Sequence, residues 1–112
     1  MSFAEVKVFQ VLPDKVDEFE TLVTSMTQAQ VSCPGCQAIR YIKRFYTYDD
    51  GIQDPPRLIK KIVGVVKYYS FWEFDTLEHY HAATQLYFWQ FEKPLRKLLR
   101  VPFDIHCGNT IE

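Results

Sequence analysis

Positive charge is concentrated nowhere in this chain. Its 13 basic residues are matched by 14 acidic ones, and no Lys/Arg cluster is longer than Lys60-Lys61. A nucleic-acid or anionic-membrane partner needs a basic face to neutralise phosphate, so neither is expected. Long apolar runs are also missing. No window approaches the roughly 18 continuous apolar residues of a membrane span, and the opening MSFAEVKVFQ lacks the basic-then-apolar pattern of a secretory signal. The expected location is therefore cytoplasmic. Cysteine is scarce and odd in number (Cys33, Cys36 and Cys107), which disfavours structural disulfides. There is no Ser/His/Asp set at readable spacing, no glycine-rich phosphate loop and no helical His-Glu pair of metalloprotease type, so no tightly bound metal is expected.

What the chain has in surplus is aromatic rings. Nine Phe, seven Tyr and two Trp make up 16% of its 112 residues. At this length a single domain spanning residues 1–112 is expected. So many rings call for more than one covered face on each element, which points to a second layer or a partner subunit.

Residues 3–11 read as a strand, with Ala4, Val6 and Val8 on one face and Phe3, Phe9 and Val11 on the other beside Glu5 and Lys7. Pro13 suits a first helical turn, and Val16, Phe19, Leu22, Val23 and Met26 repeat at helical spacing to about residue 30. Pro34 and Gly35 then turn the chain between Cys33 and Cys36. Residues 37–48 form a second strand, residues 49–57 a mobile hairpin tip, and residues 58–74 a third strand bulged at Gly64 and apolar on both faces. Asp75 is the expected helix N-cap, with Glu78 completing a capping box. A bend is expected at Thr84-Gln85, then a second helical piece carrying Phe88, Phe91, Leu95 and Leu98 and kinked by Pro94. Residues 101–108 close the chain as an edge strand behind Pro102.

This order is that of a ferredoxin-like β-α-β-β-α-β sandwich of the α+β class, a four-stranded antiparallel sheet with helices on one face. The helices cover one side of a sheet that is apolar on both. A homodimer with facing sheets follows as the expectation.

The ordered features resemble the dimeric α+β-barrel superfamily that includes the antibiotic-biosynthesis monooxygenase domain. They are the Val16/Phe19 helix, the Pro34-Gly35-Cys36 turn, Trp72-Glu73 ending the third strand, His81 nine residues on, and then Ala83-Thr84 and Tyr87-Phe88. The resemblance implies a pocket between helices and sheet, and activities such as cofactor-free oxidation of aromatic polyketides or quinols. The heme-cleaving branch has an asparagine in strand one, a tryptophan in place of His81 and a histidine in place of Phe91, so this chain resembles it least.

The candidate catalytic residue is His81, since an imidazole at the sheet end of a helical pocket can exchange a proton near neutral pH. Its four-residue spacing from Leu77 sets it on a different face from His79, which is nearer solvent. The plainer reading is a partly buried histidine bonded to a backbone carbonyl. Trp72, Tyr41, Tyr68 and Phe88 are the candidate substrate-binding residues, the plainer reading of Trp72 being core. Only one of Tyr68 and Tyr69 can face the pocket. Cys33 and Cys36 follow a helix instead of opening one, so a plain turn is expected there in place of a redox or zinc site. The functional expectation, following the resemblance, is a cofactor-independent monooxygenase-like enzyme, with no cofactor, acting on a small apolar, aromatic or quinone-like molecule in a pocket between helices and sheet. The alternative is a non-catalytic dimeric ligand-binding or structural module.

Overall fold

The computed structural model describes residues 1–49, 52–61 and 64–112. Its elements are β1 (Phe3–Val11), a short 3-10 turn (Pro13–Lys15), α1 (Val16–Val31), β2 (Cys36–Lys43), β3 (Tyr46–Thr47), β4 (Arg57–Leu58), β5 (Val66–Phe74), α2 (Leu77–Arg96) and β6 (Asp104–Asn109). The four long strands form one antiparallel sheet in the order β2-β5-β1-β6, while β3 and β4 pair separately as a small ribbon. This is the ferredoxin-like α+β arrangement expected. Strand β6 pairs with β1 alone and is the edge anticipated from Pro102.

Helix α1 buries Phe19 and Met26 against the sheet, with Val16, Leu22 and Val23 packed around them, as the spacing predicts. The turn after it closes through a hydrogen bond from the Cys36 N–H to the Cys33 carbonyl (3.1 Å). Gly35 there has φ +85°, and a Cβ on it would stand 2.4 Å from Asp75 Oδ1, so only glycine fits this approach to the start of α2.

Four expectations about element boundaries are corrected. The second strand does not run to residue 48: β2 ends at Lys43, and Tyr46–Thr47 belongs to the separate ribbon. The third strand does not run from residue 58: Arg57–Leu58 pairs with β3, and the long strand begins at Val66, after Gly64 with φ +86°. Ile62 and Val63, expected within that strand, and Asp50 and Gly51 of the expected hairpin tip lie outside the described residues. The helix N-cap is Thr76, whose hydroxyl accepts from the His79 N–H at 3.1 Å, and Asp75 instead pairs with His79 Nδ1 at 2.7 Å. No bend divides α2 at Thr84-Gln85. Ala83 and Tyr87 both face the core there, so the buried stripe runs on unbroken, and Pro94 falls in the last turn, where few helical hydrogen bonds remain to be lost.

The pleat sends Phe3, Glu5, Lys7, Phe9 and Val11 of β1 inward, under the helices, and leaves Ala4, Val6 and Val8 on the outer face. On β5, Tyr68, Trp72 and Phe74 face in, and Tyr69 and Phe71 face out. The outer face is apolar and open, with Val6 and Phe71 each 38% exposed and Ile42 63%.

Candidate functional site

The central strand of a small sheet is where apolar side chains contribute most. Here its buried face carries a carboxylate and an amine, and both Glu5 and Lys7 are 0% exposed. Residues two apart on a strand point the same way, so the pleat alone sets them side by side, and Lys7 Nζ makes an ion pair with Glu5 Oε2. The sheet register extends the polar patch sideways: Lys7 lies opposite Ser70, which lies opposite Tyr41 on β2.

Each charge has further partners. Tyr80, from the first turns of α2, donates its hydroxyl to Glu5 Oε1 at 2.6 Å. The Lys7 ammonium has rings where it lacks oxygens. Its Nζ stands 4.1 Å from the centre of the Tyr87 ring, 5.0 Å from Trp72 and 6.0 Å from Phe103. Such ring faces attract a desolvated cation. Burial pulls the Lys7 pKa below its ordinary value, and the neighbouring Glu5 carboxylate offsets this only in part. A proton held by such an amine is easily exchanged with a neighbour. Burial also holds the phenols of Tyr41, Tyr80 and Tyr87 protonated well past their usual range.

A second polar group lies toward α1. Tyr41 donates its hydroxyl to Gln30 Oε1 at 2.6 Å, and Tyr87 sets its hydroxyl 3.2 Å from Met26 Sδ. Gln30 is 1% exposed. Its Nε2 and the Trp72 Nε1 have no hydrogen-bond partner among the described residues. An unmet buried donor costs about 1–3 kcal/mol, whereas burying an indole contributes roughly 5 kcal/mol of gross transfer free energy, so Trp72 stays in the core with its N–H unused. Both residues line a cavity of about 60 Å³ between α1 and α2, narrowed by Tyr87 and Phe91. That volume holds a diatomic gas or a water or two and no aromatic ring.

The residues singled out from the sequence are not brought together. Trp72 floors the inner cavity. Tyr41 and Tyr68 share a groove of about 240 Å³ with Glu20 and Lys43. There Tyr68 donates to the Glu20 carboxylate, whose pKa is held down by Lys43, 2.7 Å away, and by that phenol. Phe88 lines a separate cleft of about 300 Å³ beyond Phe103. His81 lines none of these. The expectation that it faces a pocket is corrected: His81 is exposed together with Leu77, whose face it shares, and the inward position beside it belongs to Tyr80, because Tyr80, Ala83, Tyr87 and Phe91 form the buried stripe. Cys33 and Cys36 are free thiols on either side of the Pro34-Gly35 turn, Cys36 opening β2.

Sequence reasoning passed over Glu5, Lys7, Tyr80 and Gln30. One signal was present, since Glu5 and Lys7 share the parity of Phe3, Phe9 and Val11, the bulkier face of the strand. Choosing that face as the inner one puts two charges in the core.

No protein-family model matches the sequence, nor does any curated protein. Solved structures do. A conserved protein of Methanosarcina mazei superposes with a TM-score of 0.72 at 16% identity, over 98% of this chain and 93% of its own. A provisionally designated antibiotic biosynthesis monooxygenase of Nitrosomonas europaea gives 0.73 at 10% identity, over 98% and 90%. A variant of SnoaB, a cofactor-independent oxygenase of Streptomyces nogalater, gives 0.68 at 14% identity, over 99% and 94%. Identities this low carry the fold and not the reaction. The chain has the ferredoxin-like α+β fold shared with structures named as a provisionally designated antibiotic biosynthesis monooxygenase and as a cofactor-independent oxygenase.

Proposed function

We propose that this chain is a cofactor-independent, monooxygenase-like enzyme that acts between helices and sheet on a small, largely apolar molecule, aromatic or quinone-like. The observation that carries the reading is the buried Glu5–Lys7 pair in the central strand. Replacing such a pair by packed apolar residues is often neutral or stabilising, so its presence at the best-packed position of the sheet calls for a role beyond stability.

The chemistry suits that role. A hydroxyarene or anthrone-type ring becomes reactive toward O2 once it loses a proton; the Glu5 carboxylate takes that proton, and the Lys7 ammonium, released from its pair, holds the ring anion while Tyr80 stays hydrogen-bonded to Glu5. The overall change balances without an external reductant: an anthrone ring CH2 plus O2 gives C=O plus water, and a hydroquinone with a ring C–H plus O2 gives a hydroxyquinone plus water. The inner cavity accommodates O2, and the unused donors Gln30 Nε2 and Trp72 Nε1 belong to its wall. Acid–base work thus passes from the expected His81 to residues on β1 and α2. Two copies associate through the open apolar sheet faces, and light scattering is expected to return twice the 13.3 kDa chain mass.

The test is oxygen uptake with anthrone and with hydroquinones. Wild type and His81→Ala are expected to consume O2 equally, with Tyr80→Phe slower by about 10-fold or more. A second reading is favoured by the small inner cavity: the rings fill the pocket, and the chain is a ligand-binding or structural module. No uptake above background with any ring class, while the protein stays folded, establishes that reading instead.

A further inference from the structure

The cleft of about 300 Å³ beside Phe103 is large enough for a small ligand, and two observations define what it suits. Its inner wall is a pair of rings, Phe88 of α2 and Phe103 of the segment before β6, stacked at 22° with centres 5.7 Å apart. Its rim carries Arg96, Arg100 and Glu92. Glu92 accepts from Arg96 at 2.6 Å, whereas Arg100 makes no ion pair among the described residues. The C-terminal end of α2 disfavours an anion, but Lys93 and Arg96 in its last turn offset that partial charge. Arg100 is thus the rim guanidinium without an acid partner among the described residues, and its Nη1 lies beside Gly64.

The wall beneath Arg100 is fixed. The Arg100 N–H donates to the Gln10 carbonyl at 2.9 Å, the Leu12 N–H donates to the Leu98 carbonyl at 3.0 Å, and Val11 bridges to Leu99. These bonds tie the end of α2 to the end of β1 and hold Arg100 in register with the stacked rings. Phe103 also separates the cleft from the buried pair, since Lys7 Nζ stands 6.0 Å from the centre of its ring.

We infer that this cleft binds a planar aromatic acid, its ring against Phe88 and Phe103 and its carboxylate on Arg100, and that Phe103 is the partition such a molecule passes to reach Lys7. The second half rests on the oxygenase reading. The first half does not.

The test is a titration of 15N-labelled protein with naphthoate and with naphthamide, which has the same shape and no charge. Naphthoate is expected to shift the amides of Phe88, Leu99 and Phe103, and to bind at least about 10-fold more tightly than naphthamide. Arg100→Gln is expected to erase that preference, Arg96→Gln to keep it, and Phe103→Ala to weaken both ligands. Equal affinities, a preference that survives Arg100→Gln, or shifts centred elsewhere, such as on Tyr41 and Lys43, overturn the assignment. The two readings fail separately. If naphthoate binds as described and no ring class is oxidised, the cleft stands and the oxygenase falls. If Tyr80→Phe slows oxidation while naphthoate and naphthamide bind alike, the reverse holds.

Discussion

Replacing Lys7 by Met tests whether the buried pair is what it looks like. The substitution keeps the side-chain length and removes the ammonium, so the Glu5 carboxylate, itself 0% exposed, is left with the Tyr80 hydroxyl as its hydrogen-bond donor. Breaking one side of a buried pair costs about 3–5 kcal/mol. For a domain of this size that lowers Tm by roughly 12–20 °C, a large part of a total stability of about 5–15 kcal/mol. Glu5→Leu/Lys7→Met removes both charges and leaves the Tyr80 hydroxyl without its acceptor, which costs about 1–3 kcal/mol. Adding Tyr80→Phe removes that cost too, and the triple variant is expected to match or exceed wild type. Urea unfolding followed by tryptophan fluorescence gives all three values, provided the slope m stays constant. The reasoning is refuted if Lys7→Met lies within about 1 kcal/mol of wild type, or if the triple variant is less stable than the single.

Alkaline pH should unfold the protein in a tyrosine-dependent way. The buried phenols keep their protons in the folded state past 10.0, where unfolded tyrosine releases them, so the folded state binds more protons there and stability falls as pH rises beyond about 10. Tyr41→Phe is expected to flatten that fall, read from urea midpoints across the range; an unchanged slope contradicts it. Lys7 acts with the opposite sign. Its folded pKa lies below 10.5, the unfolded state binds the extra proton, and its contribution to stability rises with pH up to that value. Gly35→Ala forces a side chain into the left-handed region and onto Asp75 Oδ1, so a loss of about 1–2 kcal/mol or more is expected, and a neutral result in calorimetry would contradict the turn geometry. Thr76→Ala should cost about 1 kcal/mol of stability through the lost cap, and more than Asp75→Ala, whose pair with His79 is open to solvent; the reverse order would restore Asp75 as the cap.

Much of the architecture was legible in the sequence. The period-2 pattern of residues 3–11, the Val16-to-Met26 stripe and the aromatic run ending at Phe74 each name one element, and four strands with helices in that order admit few topologies. Side-chain parity likewise determined that only one of Tyr68 and Tyr69 faces inward, and the position of the Cys33–Cys36 turn after a helix spoke against redox chemistry. Which face of β1 is the inner one was not decided there. Both faces are apolar enough to be buried, so the choice came from pairing with β5 and from the helices laid across it, and that choice took Glu5 and Lys7 out of water. His81 turned to solvent for a similar reason: α2 carries apolar residues on more than one face, and packing buried the Tyr80, Ala83, Tyr87 and Phe91 stripe while leaving Leu77 and His81 outside. Local pattern determines which elements form, because backbone bonding and burial act within each segment. The site is a set of distances between residues from β1, β5, α1 and α2, and those distances exist only once the segments have packed.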